Sequence, residues 1–73
     1  MTEATELAAE ASSRDPVVGL RAVAALRRLL DTLEVLQVRN ARQLGWSWQD
    51  IAAQLGVSRQ AVHKKHAASW RRR

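Results

Sequence analysis

One uninterrupted segment sets the limits on what this chain can fold into. After Pro16 there is no further proline, and the only glycine before Gly45 is Gly19. Val23, Leu26, Leu30 and Leu33 recur at three- and four-residue spacing, and Leu29, Leu33 and Leu36 repeat the pattern beside them. Together they form the broad apolar face of a helix from Pro16 to about Gln43. Arg21, Arg27, Arg28, Asp31 and Glu34 fill much of the other side, with Asp31 and Glu34 read as surface partners of Arg27 and Arg28, worth little. At 1.5 Å per residue such a helix of about 28 residues spans about 42 Å. The whole chain has 73 residues, and the short helices that remain cannot cover so long a stripe. A second copy of the chain is the natural cover, so the spacing predicts a helical homodimer joined through Leu7, Val23, Leu26, Leu29, Leu30, Leu33 and Leu36. A helix that breaks near Asn40 and folds back within one chain is the alternative.

The punctuation around this segment is equally legible. Asp15 followed by Pro16 places a capping side chain before a residue whose missing N–H is harmless in a first turn. Upstream, residues Thr2 to Ser13 suit a short helix with Glu3 and Glu6 near its positive end and Leu7 as its only large apolar residue. Downstream, Gly45 in "QLGW" supplies a left-handed cap. Ser47 and Asp50 match a capping box that opens a helix from Trp48 to about Leu55. Gly56 ends it, Val57 reads as a buried connector, and Ser58 caps a last helix from Arg59 to about Trp70. The expectation is an all-α fold: a short N-terminal helix, a long dimerisation helix and a C-terminal helix-turn-helix. Residues 1–44 form the arm and dimerisation region and residues 45–73 the helix-turn-helix, within one compact domain.

Charge is distributed unevenly along this frame. Glu3, Glu6, Glu10 and Asp15 face only Arg14 at the start, whereas Arg42, Arg59, Lys64, Lys65, Arg71, Arg72 and Arg73 face only Asp50 at the end. With a net charge of +5 and a sequence pI near 11.4, the basic end points to a polyanion. Cysteine is absent, which removes disulfides and thiolate metal sites and fits a reducing cytoplasm. The acidic "MTEATELAAE" does not read as a secretory signal, and no apolar run reaches membrane length. No Ser/His/Asp arrangement, glycine-rich phosphate loop or metal spacing suggests an enzyme, and no cofactor or small-molecule ligand is expected.

The motif that carries function is "GWSWQDIAAQLGVSRQAVHKKHA". Ile51 and Leu55 lie one turn apart, Ala52 is small where two helices cross, Gly56 can take positive φ, and Val57 and Val62 close the core from the other side. On the last helix Ala61, Val62, Lys65, His66 and Ser69 are assigned to the protein side, and Arg59, Gln60, His63, Lys64 and Ala67 to the other. The second set begins at the helix N-terminus, the part that enters the major groove in this motif. Arg59 is suited to guanine O6 and N7 and Gln60 to adenine N6 and N7, with His63 as a third base contact. Ser58, Ser47 and Gln49 lie at helix starts that can hold phosphates, and Lys64 and the Arg71–Arg73 run supply charge for the backbone. His63 and His66 are three apart, but with no cysteine and no nearby carboxylate they read as a groove contact and a packing residue rather than a metal pair. Trp48 and Trp70 are expected to complete the core, and Trp46 to be exposed.

The stretch "WQDIAAQLGVSRQAVHKKHA" resembles the helix-turn-helix of bacterial DNA-binding proteins. Over nearly its whole length, including "DPVVGLRAVAALRRLLDTLEVLQVRNARQLGWSW", the chain resembles the small actinobacterial nucleoid-associated proteins called Gbn, the GATC-binding type. That resemblance implies a dimer on double-stranded DNA, a GATC-containing target, nucleoid localisation and an influence on chromosome organisation and transcription. Lys65 departs from the general helix-turn-helix pattern, in which an apolar residue is common there. Two competing functions are a local repressor with few operators, separated by genome-wide occupancy, and a module docking on the transcription machinery, separated by a gel shift with pure protein.

Overall fold

The computed structural model describes the backbone of residues 3–71 and the side chains of residues 3–68. Four helices follow one another, α1 (Glu3–Ala11), α2 (Pro16–Gln43), α3 (Trp48–Leu55) and α4 (Arg59–Arg71), with no strand among the described residues. The expected all-α class and order of helices are observed. None of the described helices is long and apolar enough to cross a membrane. The chain divides into two compact units, residues 1–33 and 34–73, and α2 runs through both.

In the first unit, α1 has no fully buried residue, and only Leu7 and Ala11 are half-buried. The turn after it is fixed by side-chain caps. The Ser13 hydroxyl accepts from the Asp15 N–H at 3.1 Å, and Asp15 Oδ1 accepts from the Val17 N–H at 3.0 Å. α2 therefore starts where Asp15 and Pro16 predict. Gly19 is buried because this turn returns over it: a Cβ there would lie 3.4 Å from the Ser13 carbonyl oxygen and 3.6 Å from that of Ala11. Ala22, one turn on, is also buried. Leu26 and Leu29 are half-buried, while Val23, Leu30 and Leu33 are exposed.

The second unit holds the end of α2, α3 and α4. Val38, Ile51, Ala52 and Val62 form its core, with Ala41 and Trp48 packed against it. α2 ends in a Schellman motif: the Trp46 N–H donates to the Ala41 carbonyl, the Gly45 N–H to that of Arg42, and Gly45 takes φ 89°. At the start of α3, the Ser47 hydroxyl accepts from the Asp50 N–H at 3.0 Å and the Asp50 carboxylate accepts from the Ser47 N–H at 3.3 Å. This is the predicted capping box. Gly56 closes α3 in the left-handed region at φ 71°, where a Cβ is unfavourable.

Two core assignments need correction. Leu55 and Val57 were expected beneath the helix pair, and they are 40% and 47% exposed. The core is simply smaller than the pattern suggested. Its closest packing is centred on Ile51, Ala52 and Val62, which leaves the end of α3 and the turn at the edge.

Candidate nucleic-acid interface

The site is built on the α3–turn–α4 pair. Three residues, Gly56 to Ser58, separate the two helices. The Ser58 hydroxyl accepts from the Ala61 N–H at 3.1 Å, so it caps α4 and holds the first turn rigid. Arg59 and Gln60 are exposed at this start, and Lys64 is exposed one turn later. Ser47 and Gln49 are exposed at the start of α3. Both serine hydroxyls accept a backbone N–H in their caps, and each retains a proton to donate. The side chain of Arg71 and the whole of Arg72 and Arg73 lie outside the described residues, as do the side chains of Ser69 and Trp70.

The rotation of α4 differs from the expected one. Among its described side chains Val62, His66 and Ala67 are buried and His63 is half-buried, whereas Arg59, Gln60, Ala61, Lys64, Lys65 and Ala68 are exposed. Ala67, assigned outward, is 5% exposed, and Ala61, assigned inward, is open. Lys65 was also placed toward the protein, and its side chain is 52% exposed. On a helix of 3.6 residues per turn, a buried face carrying positions 62, 63, 66 and 67 leaves 61, 64, 65 and 68 opposite it and 60 at its margin, while 59 falls on the same face and is exposed because it begins the helix.

Two tertiary contacts produce this rotation. The first is an aromatic stack. His63 meets Trp48 edge to face, with ring centroids 5.4 Å apart. The Arg42 guanidinium lies over the same indole at 4.6 Å from the ring centroid and donates from Nη1 to the Trp46 carbonyl at 2.8 Å. Arg42 is therefore scaffold as well as charge, and His63, expected as an open base contact, reaches outward only from the rim of the packed face.

The second contact centres on Glu34, which the sequence suggested was a surface partner of Arg27 and Arg28. Its Oε2 instead accepts from His66 Nε2 at 2.6 Å and pairs with Lys65 Nζ at 3.0 Å. The carboxyl is held below its ordinary value, first by the hydrogen bond from His66, then against an opposing effect of burial, and further by Lys65. His66 was expected to pack within the protein, and it is 5% exposed. A carboxylate does lie beside one of the histidines, contrary to the expectation from sequence, because the fold brings Glu34 to His66 from 32 residues away. Even so, no group of three or more potential metal ligands gathers among the described residues.

No family model, curated protein or solved structure matches the chain. The assignment of a role therefore rests on the chain's own chemistry. That chemistry is a capped helix start bearing Arg59 and Gln60, a lysine one turn along, the small exposed Ala61 between them, and a scaffold that anchors the helix. Exposed hydrogen-bonding forks on a rigid helix suit planar acceptor edges, and the neighbouring N–H groups and cations suit phosphates.

Proposed function

We propose that the chain is a double-stranded DNA-binding protein of the nucleoid-associated kind, acting as a homodimer and preferring short GATC-containing sites. The single observation that carries this reading is the start of α4. Arg59 and Gln60 stand exposed side by side in the first turn of a helix that is anchored further along by Val62, His66 and Ala67. Arg59 takes guanine O6 and N7 and Gln60 takes adenine N6 and N7 in the major groove. A two-fold partner repeats the same pair on the opposite strand, which matches the symmetry of GATC. Ser58, Ser47, Gln49 and Lys64 hold phosphates on either side, and His63 contributes from the rim. The exposed leucines of α2 supply the dimer contact. The resemblance of the sequence to Gbn-type proteins supports the same target.

Binding rather than catalysis is the function, and occupancy of many short sites is preferred over control of a few operators because a target as short as GATC recurs throughout a chromosome. The test is fluorescence anisotropy on a GATC duplex and a scrambled duplex at physiological salt. Tighter binding to the GATC duplex, with affinity falling steeply as salt rises, is the expected result. Absence of binding to both duplexes overturns the proposal and leaves a protein-docking module as the reading to pursue.

A further inference from the structure

The second unit carries more apolar surface than its own core uses. A groove of about 210 Å³ opens between the end of α2 and α3, with Leu44, Trp46 and Leu55 among its walls and Gln37, Asn40 and Gln54 among its polar lining residues. Leu44 is 71% exposed, Trp46 39% and Leu55 40%. Leu55 also lines a second depression that contains Val57, so the apolar strip continues past the groove. Leu36 and Val35 are exposed on the same unit. The four large exposed side chains of the groove and the depression, Leu44, Trp46, Leu55 and Val57, together present roughly 370 Å², within the range of a functional patch on a lone protein and about half of what each partner of a standard interface covers.

We propose that this groove is an interface with a second copy of the same chain, so that the homodimer is held at the helix-turn-helix as well as along the leucines of α2. The inference rests on the dimer reading given above and deepens it. Three features favour a second copy over a foreign partner. The area is about half of what one side of a standard interface contributes, too little to hold a foreign partner by itself and suited to a copy already held along the leucines of α2. The groove lining includes no charged residue, and the adjoining depression carries Glu34 and Lys65, an ion pair of opposite sign, so two copies meet here without a surplus of like charge. Its polar members are neutral amides, each both donor and acceptor, and such groups pair with their own symmetry mates across a two-fold axis.

The consequence is direct coupling of subunit association to the DNA-reading element. α3 and α4 pack on one another, and a partner seated against Leu44 and Leu55 fixes where the second recognition helix lies. Spacing between half-sites is then set at the groove.

The test compares the oligomeric state of the full chain and its Leu44→Glu variant by sedimentation equilibrium over micromolar concentrations. Leu44 is mostly exposed within one chain, so the charge leaves the monomer's fold intact, checked by circular dichroism. The expected result is a dimer for the wild type and a dimer dissociation constant raised at least tenfold for Leu44→Glu. A second readout avoids any question of folding. The chain has no cysteine, so a single Leu44→Cys thiol reports its own cover, and its maleimide labelling is expected to slow as protein concentration rises. A wild-type dimer that Leu44→Glu leaves unchanged, with labelling independent of concentration, overturns the inference while the dimer reading stands. The same result is expected if the chain's own terminal segment or a foreign protein fills the groove. A wild-type chain that is monomeric throughout overturns both.

Discussion

Removing the Glu34 carboxylate tests the account of how the recognition helix is held. In Glu34→Ala the buried His66 loses the acceptor 2.6 Å from its Nε2. A buried polar group left without a partner costs about 1–3 kcal/mol. The Lys65 limb adds little, because its side chain is 52% exposed and solvent screens it. Glu34 is itself partly open, at 27%, so some compensation by water is expected and the sum is about 1–2 kcal/mol. In urea, with an m-value of about 1 kcal/mol per molar for a unit this small, the midpoint falls by about 1–2 M. All three tryptophans lie beyond residue 45, so intrinsic fluorescence reports on the second unit, and protein concentration is held fixed because a dimer couples to the melt. Glu34→Gln keeps an acceptor for His66 and loses the charge, and roughly half of the effect is expected. The pH dependence has a definite sign. Glu34 has a folded-state value below its ordinary 4.5, so its contribution is fully present above that ordinary value. It is lost as pH falls through the lowered folded value. The difference between wild type and Glu34→Gln therefore shrinks in acid. A Glu34→Ala midpoint within 0.3 M (about the scatter of such melts) at pH 7, or a wild-type to Glu34→Gln gap that persists undiminished below the lowered value, would refute the clamp.

Four further outcomes are set by individual residues. Arg59→Ala is expected to weaken binding to a GATC duplex by about 1–3 kcal/mol and to erase most of the preference over a scrambled duplex; equal weakening on both makes Arg59 a phosphate contact. Ile51→Ala removes a side chain that is 4% exposed and is expected to cost about 2–4 kcal/mol, against about 1 kcal/mol for Leu55→Ala in a dissociated sample, because Leu55 is 40% exposed. Gly56→Ala forces a Cβ into the left-handed cap at φ 71° and should cost about 1–2 kcal/mol. Gly19→Ala lies in ordinary contact distance of two carbonyls on a helix and should be neutral or stabilising by up to about 1 kcal/mol in a thermal melt.

The sequence by itself determined where α2 and α3 begin and end and where α4 begins, whereas α1, read as Thr2 to Ser13, is shorter at Glu3–Ala11. Asp15 and Pro16, Gly45, the Ser47–Asp50 box, Gly56 and Ser58 all act on backbone groups within a few residues of themselves, so their effect is readable without the fold. It also determined that α2 carries more apolar surface than a chain of this size can cover. Only the tertiary structure decided how α4 is turned. That helix has one large apolar residue in its first two turns, Val62, set among alanines, histidines and lysines, so its own pattern fixes no face. The rotation is imposed from outside, by Trp48 against His63 and by Glu34 against His66 across 32 positions of sequence. The same reasoning applies to Leu55 and Val57. Their apolar character was plain in the sequence, but whether a small core has room for them depends on which other residues reach it first. Short-range caps are set by neighbours in the chain, and helix faces by neighbours in space.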